Sequence, residues 1–468
     1  MKTQIKFYSG LNTIGGLVMS VVYGKERVLL EIGCAYEPAT DTNDGVVLSR
    51  PNRKLVDMLK LKEAPMVEGL YSAKHIQDFP LLSAEESDLH TSIFITHMHL
   101  DHMSCMGLVA DNVDVYLSEP AQRLEKALED VGMGVVTLRS APYKLLDPET
   151  EYHIGEITVK PFLLNKNSYQ DYSFYVKTPD LKIHHTGDVM LHGNYVDAVW
   201  SEMEYLKNEE IDVLVCESTT LMDSTMEMLY GRADAEIIGY PQLPEGMLDK
   251  EMVDELLCEK LCNIKGLCVF NFYEREMENV ESFNEMGRRS GRTVAYEPET
   301  AWLIWKFYGK PVNVYVPDFD GYDTAWFKEL TEDNPVISKQ EIFAAPGKYL
   351  IQNTYKNSME LFDLPNEDAH YLHSGGTPIG AYDPAYRNLQ NILKKAGFTH
   401  VNFFMNNFFT HAYPPQLKYY VDQINAKVLV PAHGKNPERL LAPAGRQRLL
   451  PKLMSVYEFD GEKLVEVE

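Results

Sequence analysis

A mixed α/β protein is predicted for this chain of 468 residues. Three observations lead there. The composition is that of a globular protein, with 45% hydrophobic and 24% charged residues. Short β-rich runs punctuated by turn residues fill the N-terminal part of the chain. From about Ile211 onward, strand-like runs alternate with longer helical segments, the rhythm of an α/β unit. At about 100–200 residues per domain, the length suits two or three domains with real cores, and excludes a disordered or fibrous chain.

Taken in order, the turn at Gly15-Gly16 and the apolar runs at 17–23 and 26–33 read as strand, turn, strand. Residues 92–96 form a short β-rich run that ends in a polar cluster, and residues 107–110 open a more helical stretch. Residues 157–162, 173–177 and 182–186 are strand-like and separated by turn signals such as Thr178-Pro179-Asp180. Residues 213–216 and 267–270 are candidate parallel strands, and residues 274–289 read as a helix. Short strands return toward the C-terminus, including residues 427–430 just before Pro431-Ala432-His433-Gly434.

Charge and apolar content narrow the function classes. Lys and Arg total 44 against 69 Asp and Glu, a formal charge of −25. A broad basic surface that tracks a nucleic-acid backbone is excluded, although a groove lined by a few basic side chains and metal ions still binds phosphate. No run approaches the ~20 apolar residues of a membrane span and residues 1–6 do not open a signal peptide, so a soluble, cytoplasmic protein with no membrane partner is expected. Six cysteines are too few for a disulfide framework. Cys258, Cys262 and Cys268 look like a metal cluster by spacing, but their surroundings read as an amphipathic helix that uses cysteine as a small apolar residue.

The most informative segment is Thr96-His97-Met98-His99-Leu100-Asp101-His102, three histidines and a carboxylate on a loop after a strand. Imidazole nitrogen and carboxylate oxygen are ligands for zinc and related divalent ions, and this spacing points two ligands at one ion and two at another. Asp188, in His185-Thr186-Gly187-Asp188, and His433 sit in equivalent strand-end loops and carry the same chemistry. Ser374-Gly375-Gly376-Thr377-Pro378 is a glycine-rich turn before a helical stretch, a form suited to offering backbone N–H groups to phosphate. Arg288, Arg289 and Arg292 are the densest basic group, read chiefly as a solvated helix end.

These residues resemble the metallo-β-lactamase superfamily, whose signature His-x-His-x-Asp-His is matched by His97, His99, Asp101 and His102. Further motifs resemble the β-CASP group of nucleases, and ribonuclease J in particular. His185-Thr186-Gly187-Asp188 is similar to its Thr-Gly-Asp motif, Cys216-Glu217-Ser218-Thr219 to its acidic motif, Thr410-His411-Ala412 to its Gly-His-Ala motif and Pro431-Ala432-His433-Gly434 to its Pro-Val-His-Gly motif. Glu31 stands where the family's opening strands carry aspartate. The resemblance implies an αββα sandwich over residues 1–210 and 375–468, interrupted by an α/β insertion at 211–374. It implies a metal-dependent hydrolase that cleaves RNA phosphodiesters, with His97, His99, Asp101, His102, Asp188 and His433 as ligands. Asp101, His411 and Glu217 would be catalytic, and Ser374, Gly375 and Gly376 would line the nucleotide path.

Two departures from the family follow. Asn167 stands where a third histidine is expected for the first ion, and a neutral amide is a poor zinc donor, so that site is expected to be weaker. The second site, from Asp101, His102, Asp188 and His433, is complete on this mapping. The chain also ends without the additional C-terminal domain of ribonuclease J, so a homo-oligomer would not be built through it. The implied cofactor is zinc, two ions, with manganese or magnesium as alternatives, and the implied partner is RNA. A hydrolase of small esters and a β-CASP protein that binds RNA or a partner without cutting it remain the alternative readings.

Overall fold

The computed structural model describes residues 1–37, 50–165, 170–193, 195–318, 321–402 and 410–467. The chain divides into two compact units. Unit 1 comprises Met1–Gln122, Val135–Gly246 and Phe408–Glu468, and unit 2 comprises Arg123–Gly134 and Met247–Asn407.

Unit 1 is built on two sheets. The first has eight strands, ordered Leu464–Glu466, Val456–Phe459, Gln4–Ser9, Val18–Tyr23, Glu26–Leu30, His90–Phe94, Asp114–Leu117 and Lys144–Leu145. The second has seven, ordered Gln447–Arg448, Val428–Ala432, Val213–Glu217, Lys182–His185, Asp171–Lys177, Ile157–Asn165 and Tyr152–Ile154. Successive side chains on a strand point to opposite faces. Accordingly Ile5, Phe7, Val28, Leu30 and Phe94 of the first sheet meet Phe174, Val176, Val213, Val215, Val428 and Val430 of the second in one buried cluster. The alternate residues Tyr175, Leu214, Cys216 and Leu429 face the other way, into a cluster with Val199, Met203 and Leu206 of the helix Val196–Glu209 and Leu417, Tyr420 and Val421 of the helix Pro414–Ile424. Both faces of the second sheet are therefore covered, which is why its strands read as continuous apolar runs rather than as alternation.

Three neighbouring strands of the second sheet run parallel. Val213–Glu217 pairs with Lys182–His185 on one side and with Val428–Ala432 on the other, in register from Val213 against Val428 to Glu217 against Ala432. In the first sheet Glu26–Leu30 runs parallel to His90–Phe94, with Leu30 opposite Phe94. Thus residues 31, 96–102, 186–188, 217–219 and 433 all leave strands at their carboxyl ends.

Unit 2 is an α/β unit on a fully parallel sheet of five strands, ordered Thr293–Ala295, Tyr349–Gln352, Cys268–Phe272, His370–Ser374 and Thr399–Asn402. Its core joins Leu267, Val269, Ile351 and Tyr371 of the sheet to Leu389 and Leu393 of the helix Pro384–Ala396. The helix Lys250–Asn263 buries Cys258 but leaves Cys262 exposed, and Cys268 is buried in a strand instead of that helix, so the apolar reading fits Cys258 and Cys268 and not Cys262.

Some sequence expectations differ from these elements. The stretch from Gly107 is a single 3₁₀ turn, Met106–Leu108, with the next helix at Glu119–Asp130, because Leu138 and Arg139 donate to the carbonyl of Gly107 and hold it in a loop. Along the chain the units divide at 122/123, 134/135, 246/247 and 407/408. Val213–Glu217 lies between two strands of unit 1, and the segment after Ser374 supplies the last strand and a helix of unit 2. No helix among the described residues is long and apolar enough to cross a membrane.

Phe174 is fully buried at the meeting of the two sheets, its ring 5.7 Å from that of Phe94. Phe174→Ala is expected to lower the stability of unit 1 by about 3–5 kcal/mol, read from its chemical denaturation midpoint.

Candidate metal centre

At the carboxyl ends of those parallel strands the side chains of His97, His99, Asp101, His102, Asp188 and His433 come together. Ligand atoms of His97, His99 and Asp188 lie within 4.8 Å of one another, and so do those of Asp101, His102 and His433. Asp188 joins the two groups. One carboxylate oxygen is 3.5 Å from His97 Nε2, and the other is 3.4 Å from His102 Nε2 and 3.6 Å from His433 Nε2. Asp101 Oδ2 lies 3.5 Å from His102 Nε2 and 3.3 Å from His433 Nε2.

The imidazoles of His433, His97 and His102 are oriented by what their other nitrogen meets. Thr219 Oγ1 donates to the carbonyl of His433 and is 2.8 Å from His433 Nδ1, so it accepts the Nδ1 proton and leaves Nε2 directed inward. Thr96 Oγ1 is 2.8 Å from His97 Nδ1. His102 Nδ1 faces Thr96 Oγ1 at 3.5 Å and Glu31 Oε2 at 3.6 Å. Glu31 is fully buried with a backbone φ of 66°, and its other oxygen accepts from Thr96 N and lies 3.5 Å from His185 Nε2. Hydroxyl or carboxylate behind the imidazole is the usual support of a metal-ligating histidine.

The donor set fits a divalent cation. His102 Nε2 and His433 Nε2 converge to 3.0 Å, a hydrogen bond when one of them carries a proton and two nitrogen donors facing one point when neither does. The buried Oδ1 of Asp188 accepts no hydrogen bond among the described residues. Nitrogen and carboxylate oxygen together suit zinc, and the carboxylates also suit manganese or magnesium. Asn167, where a third histidine for the first ion is expected by resemblance, lies outside the described residues.

Electrostatics at the cluster are dominated by competition between burial and close carboxylates. Burial opposes charge on His102, but Asp188, Asp101 and Glu31 raise it to about 9. Burial likewise opposes charge on His433, and Asp188 and Asp101 raise it to about 9. His97, with burial and the charges of His102 and His99 against it, falls to about 4. Against the cost of their own burial, the nearby imidazoles hold Asp101 and Asp188 well below the usual carboxylate range.

His411 stands beside this cluster. Its Nδ1 is 2.8 Å from Glu217 Oε2 and its Nε2 is 3.8 Å from Asp188 Oδ2. Glu217 is fixed in turn, since its other oxygen accepts from Val189 N at 2.7 Å. Burial works against the His411 charge, yet Glu217 and Asp188 raise it to about 9.

Close packing of backbone holds these side chains in place. Gly15 has φ +70°, and a Cβ there would come 2.0 Å from Asp101 Oδ2. Gly187, with φ +55°, leaves no room for a Cβ between Thr96 and the carbonyl of Tyr172.

Ser374 and Gly375 end and follow the strand His370–Ser374 in unit 2. Gly376 packs on the Asn271 amide, which a Cβ would meet at 2.7 Å, and the helix begins only at Pro384. Of the three arginines, Arg292 is buried and donates to the carbonyls of Gly266, Tyr349 and Ile264, while Arg288 and Arg289 pair with Glu285 and Glu255. Sequence reading overlooked the supporting roles of Thr96, Thr219, Glu31 and His185. The available signal was a hydroxyl or carboxylate at a strand end next to each ligand.

No protein-family model matches the chain, and no curated protein matches it in sequence. Among solved structures, the chain is similar to a protein of unknown function from Enterococcus faecalis V583, at 24% identity and a TM-score of 0.75 over 98% of this chain and 100% of that one. That likeness shows a shared fold. The metallo-beta-lactamase fold protein YhfI from Bacillus subtilis aligns at 11% identity and a TM-score of 0.28 over 47% of this chain and 73% of its own. BJP-1, a subclass B3 metallo-beta-lactamase of Bradyrhizobium japonicum, aligns at 12% and 0.27 over 45% and 76%.

Gly15→Ala is expected to displace Asp101 and reduce the divalent metal retained per chain, measured by elemental analysis after dialysis. Cation binding must also displace protons held on His102 and His433. Affinity is therefore expected to rise with pH up to about 9, with at least one proton released per ion, read by calorimetry in buffers of different ionisation enthalpy.

Proposed function

We propose that the chain is a metal-dependent hydrolase of the metallo-β-lactamase superfamily, of the β-CASP type resembling ribonuclease J, with RNA phosphodiesters as its substrate. The observation that carries the reading is the arrangement around Asp188, which groups with His97 and His99, lies 3.4 Å from His102 and 3.6 Å from His433, and faces His411. The order of the motifs along the chain supports the β-CASP assignment, with unit 2 as the inserted domain.

Two divalent cations, when bound, supply Lewis acidity and neutralise charge at a phosphodiester. His97, His99 and Asp188 would hold one, and Asp101, His102, Asp188 and His433 the other. The remaining work falls to side chains. Glu217 accepts from His411 Nδ1, which stabilises the imidazolium and aims Nε2 at the centre. At neutral pH His411 thus carries a proton to give to the leaving oxygen, or a charge to stabilise the crowded phosphorus. Thr96, Thr219 and Glu31 hold the ligand imidazoles in place. The turn at Ser374, Gly375 and Gly376 would contact the nucleotide chain.

The test follows cleavage of a 5′-monophosphorylated, end-labelled single-stranded RNA with added zinc, manganese or magnesium, alongside a small phosphodiester and a lactone. Wild type is expected to cut RNA, Asp101→Ala to be inert, and His411→Gln to keep its metal while losing about 10²–10⁴-fold in rate. Turnover of the small substrates without RNA cleavage would reject RNA as substrate, and inactivity on all of them would reject the hydrolase.

A further inference from the structure

Beside the imidazole cluster, unit 1 brings together two side chains that the hydrolytic reading does not use. Cys34 follows the bend at Glu31–Gly33, Cys105 follows the short helix Leu100–Met103, and their sulfurs lie 3.3 Å apart. Backbone hydrogen bonds hold the two segments together. Ile32 N donates to the carbonyl of His102 at 2.9 Å, Cys105 N donates to the carbonyl of Ile32 at 2.9 Å, and Cys34 N donates to Ser104 Oγ at 3.1 Å. Cys105 is buried and Cys34 is half-buried. Both sulfurs face the carbonyl of Glu63, to which Cys34 Sγ donates and from which Cys105 Sγ is 3.6 Å, and of the two residues Cys34 is the one that keeps exposed surface.

A disulfide needs the sulfurs at about 2.0 Å, so closing the pair asks for little more than one ångström of movement shared by two side chains. We propose that Cys34 and Cys105 form a reversible redox pair, closed to a disulfide by a hydroperoxide and reopened by a dithiol. The Cys34 thiolate attacks one oxygen of hydrogen peroxide, the O–O bond breaks, and the departing hydroxide takes the thiol proton to become water. Cys34 is then a sulfenic acid. Cys105 sulfur attacks the Cys34 sulfur, the S–O bond breaks, and the hydroxide leaves as water with the Cys105 proton. Two thiols and one peroxide thus give one disulfide and two waters, with two electrons passing from sulfur to the O–O bond. A dithiol returns the two electrons and two protons.

The ring closed by this bond contains His97, His99, Asp101 and His102. Oxidation therefore clamps the segment that carries most of the ligands, a consequence that rests on the cation reading of that cluster.

The experiment treats reduced full-length protein with one equivalent of hydrogen peroxide and follows intact mass and tryptic peptides, with exposed Cys262 as an internal control for alkylation. The expected result is loss of two hydrogens, a linked peptide joining Cys34 to Cys105, and recovery of both thiols with dithiothreitol. Cys34→Ser, checked for folding by circular dichroism, is expected not to lose them. Addition of oxygen at Cys34 with no linked peptide, or equal alkylation of Cys34 before and after peroxide, would overturn the pair. Zinc-loaded oxidised protein is expected to give up its ion to a chelator several-fold more slowly than reduced protein. Equal rates beside a mapped disulfide would overturn the clamping of the cation site and leave the redox pair standing.

Discussion

Asp188 occupies a position that few buried carboxylates can hold. One of its oxygens faces His97 and His411, the other faces His102 and His433, and of these imidazoles all but the half-buried His411 are enclosed by protein. A buried charge of this kind persists only if the surrounding groups supply matching charge. The geometry around it follows from that demand. Thr219 and Thr96 fix ring orientation, Glu31 and Glu217 sit behind the rings as counter-charges, and tight turns at Gly15 and Gly187 bring backbone close enough to lock the loops.

Those loops can converge because of the sheets beneath them. Parallel strands deliver their carboxyl ends to the same edge, so residues distant in sequence arrive side by side. Glu217 and Ala432 are direct neighbours across the ladder, which places Thr219 within reach of His433. The packed interface between Phe94 and Phe174 keeps the two sheets at fixed spacing, so that the loop after residue 94 meets the loop after residue 185.

Much of this was legible in the sequence, for identifiable reasons. The histidine-rich segment after residue 96 combines residue types that are costly to bury without a purpose, so it stands out locally. Asp188, His411 and His433 carry no such local signal and were legible only through the order of motifs along the chain. Strands 157–165, 171–177 and 182–185 announced themselves by β-branched and aromatic content. The unit boundaries did not, since they depend on which strand pairs with which, a property of partners far away in the chain. Val213–Glu217 looks like the start of an α/β segment by itself and belongs elsewhere because of its two neighbours. Supporting hydroxyls such as Thr219 are equally silent in one dimension, because a threonine at a strand end is common.

One pairing has a temporal consequence. His102 and His433 approach to 3.0 Å although 331 residues separate them, and His411 and the strand Val428–Ala432 come late in the chain. During synthesis on the ribosome, the first histidines emerge long before the last one, and the middle of the second sheet lacks a neighbour until then. Unit 2, whose strands all lie between, emerges whole in the interval. The nascent chain thus carries a half-assembled side-chain cluster while unit 2 is completed, and the cluster closes only once the strand Val428–Ala432 and His433 have followed.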